Sequence, residues 1–295
     1  MSRSFAGGNP VCMACWSAWT AAPSGVQALT TLDTPLAAAA APPLAVRARD
    51  VLTCEWTKLR SIRSTYLVLL ITIVTALGFS ALNAAANMAG GGRPPTDPIL
   101  PTLIGLPYAA LAAGLLGVLT FSSEHATGLI RTTFAAVPRR RAVLAAKAAV
   151  AAVVALAVGE AVAFASFFLV QAILSRHHHG VSLSHPGVPG AVLAEGTLLF
   201  VCATLGTGLA AIIRHTAGSL AALFAVIAVP AILLVVGAPR GDRIGRFTLI
   251  YAARQVVALH PRTDLFSPAL SMLVLLAWPA AALLAAAVAI IRRDT

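Results

Sequence analysis

The chain carries six apolar stretches, each 20 residues or longer, at roughly 66–87, 102–121, 143–174, 190–213, 218–237 and 269–291. About 20 helical residues cross the roughly 30 Å hydrocarbon core of a bilayer. Only 11% of the 295 residues are charged, against about 25% in soluble domains. That is too little charge to coat a water-facing surface. The stretches are continuous in Ala, Leu and Val, without the polar–apolar alternation of a lipid-facing barrel strand. The composition predicts an all-α integral membrane protein with six transmembrane helices.

The connections set the orientation. With the N-terminus inside, 13 basic residues flank the inner ends of the spans: Arg47, Arg49, Lys58, Arg60, Arg63, Arg131, Arg139, Arg140, Arg141, Lys147, Arg214, Arg292 and Arg293. The outer side carries 7, of which 5 lie in the long last loop, 238–268. Basic residues mark the cytoplasmic side, so both termini are expected to be cytoplasmic. The net charge of +11 is then read as topology, with no nucleic-acid partner expected. Within the last loop, "RFTLIYAARQVVAL" reads as a helix lying against the membrane or the protein. Residues 1–46 lack helical periodicity, and "TPLAAAAAPPLAV" is Ala/Pro-rich. They read as a disordered tail preceding a single membrane domain, 47–295.

Catalytic and metal-binding patterns are sparse. The sequence has no H-E-x-x-H, no G-x-S-x-G and no Gly-rich phosphate loop ahead of either lysine. No enzymatic activity and no bound cofactor or metal are expected of it. Cys12 and Cys15 form a lone C-x-x-C, and His177, His178 and His179 with His185 make a His-rich outer loop; both read as incidental. Two acids fall inside apolar spans. Glu160 lies near the middle of the third, where a charge costs roughly 2.5–3.5 kcal/mol to insert. It reads as a polar contact in a substrate path or as a link between helices. Glu195 lies near the outer end of the fourth span, where the cost is smaller.

Two polar segments border the spans on the inner side. In 47–63, Ala48, Leu52, Trp56, Leu59 and Ile62 recur at helical spacing. Arg49, Asp50, Lys58 and Arg60 fall elsewhere on the wheel. This is the pattern of an interfacial amphipathic helix. Glu55 lies three residues before Lys58, at pairing distance, and Arg63 lies at the boundary, where it can snorkel. No Gly or Pro separates this helix from the first span, so Thr65 and Tyr66 are expected to turn the chain into the bilayer at a mechanically continuous corner. In 122–141, a helix running on from Ser123 would align Glu124, Gly128 and Arg131 on one face, with Pro138 ending it. That face reads as a dock for a soluble partner.

The two segments carry a resemblance. "EWTKLRSIRST" (Glu55 to Thr65) precedes the first span, and "EHATGLIRTTFAAVPRR" (Glu124 to Arg140) follows the second. In order and placement they closely resemble the permease subunits of ABC-2 type ABC transporters, particularly actinobacterial ones. Phe134 stands where that pattern more often has Leu. The resemblance covers about residues 47–295. It implies a six-helix permease in a bacterial cell membrane, paired with a second permease subunit as homodimer or heterodimer. It implies a separate P-loop ATPase subunit that binds ATP and Mg, and an export path between the permeases. It also implies that Glu124, His125, Gly128, Arg131 and Thr132 belong to a coupling helix that meets the ATPase. The uniformly apolar spans suit an amphiphilic substrate. The competing expectation is a membrane scaffold, sensor or immunity component that moves no substrate.

Overall fold

A computed structural model describes residues 47–89, 99–136, 140–176, 178–235, 245–259 and 266–293. The tail 1–46 with its Cys pair, His177 and Arg139 lie outside them. The described residues form helices and turns, with no strand among them. In chain order the helices are α1 (Ala48–Ser61), α2 (Arg63–Ala89), α3 (Leu106–Thr127), α4 (Leu129–Ala136) and α5 (Arg140–Ser175). They continue with α6 (Val188–Ile213), α7 (Thr216–Val235), α8 (Leu249–Val257) and α9 (Pro268–Arg293). Among the described residues, four helical segments are long and apolar enough to span a membrane: Arg63–Met88, Arg141–Ser175, Val188–Ile213 and Pro268–Arg292. Their mean hydropathy runs from 2.0 to 2.5. Several such helices fit a multi-pass membrane protein.

The second apolar stretch is not one helix. It opens as a 3-10 turn, Leu100–Gly105, and becomes α-helical from Leu106. Pro107 stands in the first turn of α3, where its missing N–H costs nothing. The turn is tied back to α2: Ser80 Oγ donates to Thr102 O at 2.7 Å, and Thr102 Oγ1 donates to Ile99 O at 2.6 Å.

α6 is the central element, buried along most of its length and packed by α3, α5, α7, α8 and α9. It meets α3 backbone to backbone. A Cβ on Gly117 would overlap Ala203 O, and one on Gly206 would overlap Gly114 O. Small residues permit such approach where lipid supplies no hydrophobic drive between helices. α2 and α9 are peripheral and show large apolar side chains outward, including Leu67, Val74, Leu82, Leu273 and Leu284. α8 buries Leu249, Ala252, Ala253 and Val257 against α9 and α6. The helix in the last loop therefore packs on the protein.

α1 is separate from α2. Ile62, at φ −90° and ψ 121°, is extended and breaks the helix, so the corner falls at Ile62, ahead of Thr65 and Tyr66, and the joint is not helically continuous. Tertiary contacts override local propensity here. Val51 packs with Val143 and Ala146 of α5 and holds α1 along that helix, while α2 departs on its own course. Ser61 Oγ bonds Lys58 O, and Tyr66 Oη donates to Arg60 O at 2.9 Å. These bonds occupy carbonyls that a continuing helix would use.

A buried four-charge joint as the candidate functional site

The chain has only two lysines and four glutamates. Every one of them lies in one of two clusters, and the larger cluster joins three helices. Glu55 and Lys58 come from α1, Glu124 from the last turn of α3, and Lys147 from the start of α5. Lys147 Nζ donates to Glu55 Oε2 at 2.7 Å and to Glu124 Oε1 at 2.6 Å. Lys58 Nζ donates to Glu124 Oε1 at 2.9 Å and to Glu55 Oε1 at 3.1 Å. Two ammonium groups and two carboxylates balance. Lys147 is only 1% exposed and both carboxylates are buried, while Lys58 closes the open side.

The electrostatics favour the charged forms of Lys58 and Glu124. Burial alone would lower the Lys58 ammonium, but Glu55 and Glu124 outweigh it and hold its pKa above the ordinary lysine range. Burial likewise opposes the Glu124 carboxylate, and Lys147 with Lys58 overcomes this and holds its pKa below the ordinary value. Both shifts favour the charged forms near neutral pH. Such a cluster costs desolvation, and its pairing offsets that cost only while it stays complete. Its clearest physical effect is to fix how α1, the end of α3 and the start of α5 sit together.

The expected Glu55–Lys58 pair is present. The other contacts went unforeseen, because Lys147 read as one more inner-side charge. The available signal was its setting: a lone lysine inside "AVLAAKAAVAAVV" needs a buried partner.

α1 divides differently from the expected stripe. Val51, Cys54, Glu55 and Leu59 face the protein. Leu52 and Trp56 are 40% and 42% exposed, and Ile62, Arg60 and Arg63 are exposed as well. Leu59 thus leaves the outward stripe, while Leu52 and Trp56 remain an apolar outer edge beside exposed arginines.

The stretch after α3 also departs from expectation. Gly128, at φ +73°, is a left-handed cap whose N–H bonds His125 O, and it ends α3. Glu124, Gly128 and Arg131 therefore share no helical face. Glu124 turns inward to the lysines. His125 stacks on Phe121 with ring centroids 5.0 Å apart and places Nδ1 3.3 Å from Phe121 O. Gly128 and Thr132 are exposed. α4 is anchored from below by Ile130, which packs with Val118, Phe121 and Leu144. Arg131 lies on α4, and its side chain is outside the described set. A Cβ at Gly128 would meet nothing within 4 Å, so a substitution there acts through the backbone alone. Gly128→Ala is expected to cost about 1–2 kcal/mol, and Gly128→Asn distinctly less, because Asn tolerates this conformation. Thermal unfolding of the two variants side by side checks this; equal midpoints would refute it.

Glu160 and Glu195 lie apart from the joint, but together. The Glu160 carboxyl carbon lies 2.5 Å from where a Cβ on Gly196 would stand, next to Glu195. Glu195 is only 3% exposed, so it is sealed between helices. Among the described residues, no three His, Cys, Asp or Glu side chains converge to hold a metal ion. In comparisons with known proteins, no family model, no curated protein and no solved structure matches this chain.

Proposed function

We propose that this chain is the transmembrane permease subunit of an ATP-driven exporter of the ABC-2 type, with six spans and cytoplasmic termini in a bacterial cell membrane. One observation carries the reading. The two stretches that bear the resemblance, Glu55–Thr65 and Glu124–Arg140, are 66 residues apart at Lys58 and Glu124, yet they meet in a single buried joint. A coupling unit needs that arrangement, because a push on a short cytoplasmic helix must reach the spans through something stiff.

The spans would be α2, α3, α5, α6, α7 and α9. α5 has 36 residues, about 54 Å of helix, longer than a hydrocarbon core of about 30 Å. Its first turns, with Lys147, extend past the bilayer on the side where α1 lies. Leu52 and Trp56 would rest at the lipid headgroups, with Arg60 and Arg63 in the aqueous phase. The exposed apolar faces of α2 and α9 would meet lipid and a second permease subunit.

ATP and Mg belong in this reading to a separate P-loop ATPase. Its closure would press on the exposed corner formed by Thr127, Gly128 and Thr132. The load would pass through Glu124 to Lys147 and Glu55, moving α5 and α1 as one body and shifting the spans between inward- and outward-open states. An amphiphilic substrate suits walls this apolar.

Affinity purification of the full chain from its native membranes tests the reading. The wild type is expected to bring down an ATPase with a Walker A motif. Thr132→Trp, which adds bulk at an exposed helical position, is expected to lose most of that ATPase at unchanged yield and thermal stability. Absence of any such ATPase from the wild type would favour a scaffold, sensor or immunity component.

A further inference from the structure

The remaining two glutamates pose a separate question. Glu160 of α5 and Glu195 of α6 adjoin where the two helices pack. Glu160 Oε2 and Glu195 Oε2 are both buried without a hydrogen-bond partner. Neither carboxyl has an ion pair among the described residues. The charged group acting on Glu195 is Glu160 itself. Two ionised carboxylates in apolar surroundings repel each other and forfeit hydration. Some positive charge must therefore offset them.

The surroundings are shaped for one. Gly196 leaves open the space that the Glu160 carboxyl fills, since a Cβ there would come within 2.7 Å of both carboxyl oxygens. The Thr102 hydroxyl reaches Glu195 from the 3-10 turn. The same hydroxyl also bonds Ile99 O at 2.6 Å, which fixes its position. Ser80 of α2 holds the turn in place through Thr102 O. Glu160 is half-buried and gives access, whereas Glu195 is sealed.

We propose that Glu160 and Glu195 form a binding site for one positive charge, a proton or a monovalent alkali cation, between α5 and α6. Loading the site joins the two helices across the carboxyl pair, and unloading it loosens them. The site does not depend on the transport reading, and its test needs no ATPase.

The experiment uses the purified full chain in lipid nanodiscs. Thermal unfolding is followed in sodium, potassium or choline chloride at one pH and ionic strength, then across pH in choline. The wild type is expected to gain several degrees when a positive charge is supplied. A gain with sodium or potassium over choline identifies an alkali cation. A gain only on acidification identifies a proton. Glu160→Gln and Glu195→Gln should blunt the response, and the double variant should abolish it, because neutral amides need no counter-charge. A flat wild-type response to both ions and pH overturns the proposal, as does a response that survives in the double variant. If the Gln variants fail to fold, the wild type alone decides. Dicyclohexylcarbodiimide labelling, mapped by mass spectrometry, should mark Glu160 or Glu195 and fall on adding alkali cation or raising pH. Absent or invariant labelling overturns the site.

Discussion

Lys147→Met is expected to lower the thermal unfolding midpoint by on the order of 10 °C, the largest effect of any single charge removal in this chain. The variant keeps much of the side-chain volume, so little packing is lost. What remains is two buried carboxylates, Glu55 and Glu124, facing Lys58 alone. Removing one partner of a buried ion cluster costs about 3–5 kcal/mol, because the remaining charge is stranded. For a chain of this size that corresponds to a shift of this order. Arg60→Met is the control: Arg60 is exposed and should move the midpoint by no more than a degree or two, since surface charges contribute little. Unfolding in detergent or nanodiscs, followed by intrinsic fluorescence, measures both. A Lys147→Met midpoint equal to that of Arg60→Met would mean that the joint carries no structural weight.

The second large effect is expected at Gly117→Val. The new Cβ would overlap the Ala203 carbonyl, and backbone cannot yield as a flexible side chain does. Overpacking an ordinary core position costs about 1–3 kcal/mol; here α3 must pull away from the central helix, so the cost should exceed that range. Loss of monodisperse protein on size exclusion is the predicted result. Gly78→Ala on α2 supplies the contrast, because a Cβ there meets nothing within 4 Å. It should be neutral or slightly stabilising, by about 0.5–1 kcal/mol. A normally folded Gly117→Val would refute the backbone-to-backbone crossing.

Much of the helical plan was legible in the sequence. Five of the six apolar stretches each coincide with one helix to within a few residues, and the second is shared between a 3-10 turn and α3; hydrophobic length is a local property. The Glu55–Lys58 pair was legible for the same reason, as three residues along a helix determine it. The joint was not, because Lys147 finds Glu55 across 92 residues and Glu124 across 23, and no local pattern encodes that. The break at Ile62 was hidden as well. Ile carries no turn preference, and the corner arises because Val51 and Glu55 pin α1 to α5. Gly128 plays a different structural part from the expected one. It read as a gap on a helical face, whereas its backbone conformation ends the helix and turns Glu124 away from the surface. Glu160 and Glu195 were each visible as misplaced acids, but only the packing of α5 on α6 makes them neighbours.

The amphipathic segment is not a rigid extension of the first span. It is fastened to α5 and to the end of α3, while Ile62 leaves α2 a separate course. In the proposed exporter, α1 and α5 would move as one body and α2 would pivot against them. Inserting residues at Ile62 should then disturb transport less than breaking the joint.

The central claim is that α1, the end of α3 and the start of α5 are held together by direct charge pairing. A double-mutant cycle on Lys147→Met and Glu124→Gln in the full chain tests it most directly. Each single change strands a charge, whereas the pair leaves Glu55 matched to Lys58. The double variant is expected to be more stable than Lys147→Met alone, with a coupling of about 2 kcal/mol or more. Destabilisations that simply add would contradict it.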